Sequence, residues 1–110
     1  MKPVSTGNVL TAATQTTVFT VPTGYYARWP LCYVVNTGGN NKTVDVVWYD
    51  VSTTTEVHIL DNYVLSATQF IKFNDNAYIV LEEGDQVRAT SETGSTMNII
   101  NTFELYRKGE

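Results

Sequence analysis

The chain has 110 residues, of which 43% are hydrophobic and 16% charged, with a formal net charge of -4. This length supports one domain, residues 1–110, with a modest core and no need of disulfide staples. The acidic balance and scattered basic residues exclude duplex nucleic acid as a ligand, because phosphate binding needs clustered Lys and Arg. A charged fraction below the roughly 25% of typical globular domains also predicts that part of the surface is covered by another molecule.

Residues 1–10 read as an extended N-terminal arm, in which Pro3 and Gly7 resist regular structure. Val4 and Val9 are its candidate contact residues. The first residues hold no apolar h-region, so no secretory signal is expected. No run approaches the roughly 18 apolar residues of a membrane helix, so no membrane partner is expected. Thr17–Val21 is a short strand that stops at Pro22-Thr23-Gly24, a turn in which Pro sets φ and Gly accepts φ > 0. Tyr25–Asn36 is a long strand in which Pro30 predicts an edge, a bulge or a break, since it removes a ladder donor.

The stretch Leu31–Val51 is the most informative part. Two strand-like runs, Leu31–Val35 and Thr43–Val51, flank the Gly/Asn cluster Asn36–Asn41, which predicts a β-hairpin. Both runs are apolar at consecutive positions. A sheet packed on one core should be polar on its other face. The hairpin therefore has a second face for a partner to cover, with Cys32, Val34 and Val47 as candidate interface residues.

Beyond it, Ser52–Thr55 is a polar connection. Glu56–Leu60 is a strand that Asp61-Asn62 breaks or bulges before Tyr63–Leu65. Gln69–Phe73 is a strand, Asn74–Asn76 a turn and Ala77–Leu81 a further strand. Gln86–Thr90 alternates cleanly. The last strand, Met97–Tyr106, puts Met97, Ile99, Phe103 and Leu105 on one face with Asn101 between them. β-Branched and aromatic residues dominate and no segment holds a helical period. The fold expected is all-β: an antiparallel β-sandwich of jelly-roll or Greek-key type with about eight strands.

Reactive chemistry finds little footing. His58 is the single histidine. Glu56 shares its face of the strand and Asp61 is near in sequence, but no G-x-S-x-G elbow supplies a nucleophile. The acidic residues Asp75, Glu82, Glu83 and Asp85 sit on two turns flanking one strand and lack the alternation of a calcium loop. Gly38-Gly39 precedes no helix, so no phosphate-cradling loop is present. Cys32, the one cysteine, reads as a buried free thiol. No enzyme activity, metal or other cofactor is expected. The aromatics are the richest remaining signal. Tyr25, Tyr26 and Trp29 cluster near one turn, where they serve the core, an oligomer or partner interface, or a platform for sugars.

Thr16–Tyr25, with its T-T-V-F-T-V-P-T-G-Y run, then Val35-Asn36-Thr37-Gly38-Gly39, Val46–Asp50 with its W-Y-D, and Leu81–Val87 with its L-x-x-G-D-x-V together resemble small β-sandwich structural proteins of tailed-bacteriophage virions. The similarity spans about Thr16 to Leu105. The resemblance implies a non-enzymatic virion component, foremost a homotrimeric capsid decoration or cement protein bound to the major capsid protein or a neighbouring virion protein and assembled in the bacterial cytoplasm. A head–tail connector, a tail-fibre piece and a carbohydrate-binding module for host glycans are the alternatives. The Tyr25–Pro30 segment departs from the pattern in being more aromatic and in containing a proline.

Overall fold

The computed structural model describes residues 1–74 and 78–109. Among these residues nine strands and no helix occur: β1 (Lys2–Leu10), β2 (Thr16–Thr20), β3 (Tyr25–Asn36), β4 (Lys42–Asp50), β5 (Thr55–Leu65), β6 (Phe70–Phe73), β7 (Ile79–Leu81), β8 (Gln86–Ser91) and β9 (Met97–Arg107). They build two antiparallel sheets. The first runs β1-β9-β3, with β6 and β7 both on the far side of β3, and the second runs β2-β8-β4-β5. This interleaved order is a jelly roll. β6 pairs Cys32–Val35 and β7 pairs Ala27–Trp29 of β3, so the two occupy one lateral position, and the sandwich has the eight positions expected. Of the expected turn and strand after Phe73, Asp75, Asn76 and Ala77 lie outside the described residues.

Period-two alternation places the core. In β9 the residues Met97, Ile99, Asn101, Phe103 and Leu105 point inward and are buried, as their spacing predicts. In β3 the inward residues are Ala27, Trp29, Cys32 and Val34. The step of three between Trp29 and Cys32 comes from a register shift between Arg28 and Leu31. Pro30 causes it: β3 has neighbours on both sides, so the missing N–H is accommodated by a bulge and not at an edge. At the centre Phe103 stacks on Phe19 at 3.9 Å and on Trp29 at 6.0 Å. The Trp29 indole N–H donates to Asn101 Oδ1 and to the Leu31 carbonyl, both at 3.0 Å. The one polar atom of this buried ring is thus satisfied in place.

The expected Leu31–Val51 hairpin does not form. β3 pairs with β9, β6 and β7, whereas β4 pairs with β5 and β8. The Asn/Gly segment therefore crosses from one sheet to the other, and it is organised by a buried side chain. Asn36, 0% exposed, donates through Nδ2 to the carbonyls of Asn40 (2.8 Å) and Leu65 (3.0 Å), while its Oδ1 accepts from Gly38 N–H at 3.0 Å. A tight two-residue turn would have kept both strands in one sheet. The six residues from Asn36 to Asn41 give the chain enough length to change sheets.

The N-terminal arm is also corrected. Lys2–Leu10 is extended but not free, because it pairs with Leu105–Met97 of β9 along its whole length. Its alternate residues Val4 and Leu10 pack on the core. Pro3 is tolerated because β1 is an edge strand. The bulge expected at Asp61-Asn62 is present. The β4–β5 register shifts between Val44 and Val46 and again between Val46 and Val47, with Asn62 at φ 49°.

A second buried polar residue ties the opposite end of the sandwich. Asp85, 0% exposed, accepts from Val51 N–H (3.0 Å), Glu82 N–H (2.9 Å) and the Trp48 indole N–H (3.0 Å). Gly84 precedes it at φ 85°, a conformation that favours glycine. These contacts give the L-x-x-G-D-x-V and W-Y-D elements a common structural purpose.

Candidate functional site

The strand register fixes which side chains share the outer face of the first sheet. Across β1, β9, β3 and its far neighbours the outward rows are Pro3–Glu104–Arg28–Val80, Ser5–Thr102–Leu31, Gly7–Ile100–Tyr33–Lys72 and Val9–Asn98–Val35–Phe70. Two of these rows are dominated by apolar groups in contact with water. Ile100 is 44% exposed, Phe70 51% and Val9 80%, and Tyr33 stacks on Phe70 with ring centroids 5.0 Å apart. Leu31 and Val35 are half-buried. Glycine at position 7 leaves a notch in this surface, since a Cβ there would meet nothing within 4 Å. A glycine inside a strand often marks a place where another backbone comes close.

One end of the same face is polar and rigid. Tyr26 stacks on Tyr106 at 5.2 Å. Arg28 lies 3.4 Å from Glu104, donates to the Tyr106 hydroxyl at 3.3 Å and covers the Tyr78 ring at 3.9 Å. The Tyr106 hydrogen bond, with help from Glu104, raises the Arg28 pKa above its ordinary value.

The outer face of the second sheet has a different character. Tyr49, Glu56, His58, Gln86, Arg88 and Thr90 occupy its outward positions. Arg88 pairs with Glu56 at 2.9 Å and lies over the Tyr49 ring at 4.0 Å. Hydrogen bonds from Arg88 and from Gln15 hold the Glu56 carboxyl below the usual glutamate range. This face carries a polar network about Arg88, with Val64 exposed to 57% toward its far end, whereas two rows of the first sheet present hydrocarbon.

The structure separates the residues expected at an interface. Val9 and Tyr26 lie on the outer face of the first sheet. Val4 points inward and is half-buried, and Tyr25 is half-buried against the core. Trp29, Cys32 and Val34, at 5%, 2% and 0% exposure, are core residues of the chain itself. Val47 faces outward on the second sheet between Arg88 and His58 but is covered to 3% exposure. The phase of β3 accounts for this placement. Leu31, Tyr33 and Val35 point out and Cys32 and Val34 point in, while both sets are apolar. The aromatic trio expected as a sugar platform is likewise dispersed, with Trp29 inside the sandwich and Tyr26 stacked on Tyr106. As expected, Cys32 is a buried thiol; loss of hydration pushes its pKa up to about 12.

A cleft of about 400 Å³ opens on the flank of the sandwich, lined by residues that include Trp29, Cys32, Ile59, Lys72, Phe73 and Ile79. Among the described residues its lining holds no carboxylate and no histidine.

No family model matches the chain, and no curated protein matches it. Solved structures do. A pilus protein of Bacillus endospore appendages, from a family of disulfide-linked pili, superimposes with a TM-score of 0.54 at 16% identity, over 96% of this chain and 85% of that one. A chain of the T13 IBDV viral particle superimposes with a TM-score of 0.53 at 8% identity, over 96% of this chain and 35% of that one. This chain thus spans about a third of the viral chain's length. What it shares with both is the two-sheet all-β fold.

Proposed function

We propose that this chain is a structural subunit that works by assembling through the outer face of its first sheet. The observation that carries this reading is the asymmetry of the two outer faces, one with Leu31, Tyr33, Val35, Phe70 and Ile100 and the other with a charged network. The whole outer face, four outward rows across four strands, spans roughly 400 Å² in projection, about half of the ~800 Å² per partner of a standard interface. Its two apolar rows lie beside the Arg28–Tyr106 end, which forms a polar rim.

Within that reading, the order of sequence elements from Thr16 to Leu105 supports a virion protein of a tailed bacteriophage. The particular form we propose is a homotrimeric, non-enzymatic capsid decoration protein that docks on the major capsid protein and is assembled in the bacterial cytoplasm. The fold shared with a chain of a viral particle and with a pilus protein supports the structural role. Disulfide linkage between copies is not part of the proposal, because the single cysteine is buried in the core.

Sedimentation velocity of the purified chain, followed by co-sedimentation with capsids lacking it, tests the proposal. An oligomer is expected, and Tyr33→Glu with Ile100→Glu should dissociate it without changing the circular dichroism spectrum. A wild-type chain that stays monomeric and does not pellet with capsids defeats it.

A further inference from the structure

We propose that Asp45, His58 and Asp61 form a binding site for one divalent first-row transition-metal ion on the outer face of the β4–β5 pair. One ligand atom from each of the three side chains lies within 4.8 Å of those of the other two. The convergence is a product of the fold. Residues three apart on a regular strand, such as 58 and 61, face opposite sides. The double register shift between β4 and β5, with Asn62 at φ 49°, turns Asp61 to the side of His58. Bulges commonly re-aim a side chain in this way. Asp45 then enters from the neighbouring strand, and its Oδ1 accepts from Asn62 N–H at 2.6 Å. That bond anchors one carboxylate to the backbone beside another, as outer partners of metal ligands do.

The donor set selects the class of ion. The imidazole nitrogen favours zinc, copper, iron or nickel, and zinc also accepts carboxylate oxygens beside it. Calcium takes six to eight oxygen ligands and magnesium retains several waters, so neither is matched by this group. Tetrahedral coordination at the usual zinc distances of about 2.0–2.1 Å sets ligand atoms about 3.4 Å apart. His58 and Asp61 are exposed, so their side chains can close that remaining distance. Three protein ligands leave a further position for water. Glu56, two residues from His58 on the same face, is engaged by Arg88 and Gln15 and serves as the control.

The folded chain is titrated with zinc in competition with a chromophoric chelator, and its melting temperature is recorded with and without zinc. One zinc per chain is expected, with a rise in melting temperature from binding to the folded state and no displacement by calcium. His58→Gln, Asp61→Asn and Asp45→Asn should each weaken binding by at least about tenfold, the loss typical even of outer partners of a metal ligand. Glu56→Gln should leave it unchanged. Because His58 and Asp61 lie on the surface, their variants keep the fold and separate lost ligation from lost structure. Absence of zinc binding overturns the assignment. So does calcium binding as tightly as zinc, or loss of affinity in Glu56→Gln equal to that in His58→Gln. Loss in His58→Gln alone, with both aspartate variants unaffected, also overturns it, since that is the behaviour of an isolated surface imidazole.

Discussion

Replacing Asp85 by Ala should clearly destabilise the chain. The carboxylate is fully buried and accepts three hydrogen bonds, from Val51 N–H, Glu82 N–H and the Trp48 indole. Truncation strands all three donors, at about 1–3 kcal/mol for each that stays dry. Val51 and Glu82 are both exposed, so their N–H groups regain water, and with the Trp48 indole left unpaired the net loss works out at about 2 kcal/mol. With an unfolding entropy of about 2.1 cal/mol/K per residue, the chain's 110 residues give a fall in melting temperature of roughly 9 °C. Asp85→Asn keeps one acceptor oxygen and should lose about half as much. Asp50 caps the exposed turn at Ser52, so Asp50→Ala should barely move the transition. Equilibrium urea unfolding followed by tryptophan fluorescence, with thermal melts, measures all three. A stability for Asp85→Ala within about 1 kcal/mol of wild type would refute the view that this carboxylate ties β4, β8 and the preceding turn together.

Asn36→Ala strands the Gly38 N–H and the Asn40 and Leu65 carbonyls, and should cost about 3 kcal/mol in the same urea assay. Deleting residues 1–7 strips the register partners of Ile100–Leu105 from β9, so the truncated chain should melt well below the intact one; an unchanged melt would restore the free arm. Cys32 should resist a thiol-specific chromogenic reagent in the native protein and react fully after denaturation, since burial holds its pKa near 12; rapid native reaction would contradict its place in the core. Acid sensitivity has a defined sign. The Glu56 and Glu92 carboxyls are held low, chiefly by hydrogen bonds from Arg88 and from Thr43 N–H respectively. Their stabilisation is full above the unfolded glutamate value of about 4.5 and is lost as pH falls through the lower folded values. Melting temperature should therefore be level near neutrality and fall below about pH 4.5, and Glu56→Gln with Glu92→Gln should flatten that decline.

The sequence elements that proved informative are those whose physical reason is local. Pro30 announced an irregularity, and a bulge stands there. Asp61-Asn62 announced another, and Asn62 takes a left-handed φ of 49°. The inward set of β9 was legible because Met97, Ile99, Phe103 and Leu105 keep one parity along the strand. The placement of Leu31–Val35 was legible only in part. The run is apolar on both faces, and Cys32 and Val34, expected on the covered outer face, lie in the core while Leu31, Tyr33 and Val35 point out. When both phases of a strand are apolar, hydropathy alone cannot tell core from surface. The proximity of Asp45 to His58 and Asp61 was invisible for a related reason, since it depends on a register between two strands and on a bulge that shifts it.

Composition and period-two patterning by themselves determined that the chain folds as an antiparallel β-sandwich, where most strands begin and end, and that Cys32 is a buried thiol. These follow from local preferences and from the need of each strand to bury one side. Only the tertiary structure decided that Asn36–Asn41 joins two sheets and closes no hairpin, that residues 2–10 belong to the sheet as an edge strand, and that Tyr33, Phe70 and Ile100 form the exposed apolar face. Partner choice among strands is set by contacts between residues far apart in the chain, and no local pattern in a single sequence encodes which edge a strand will find.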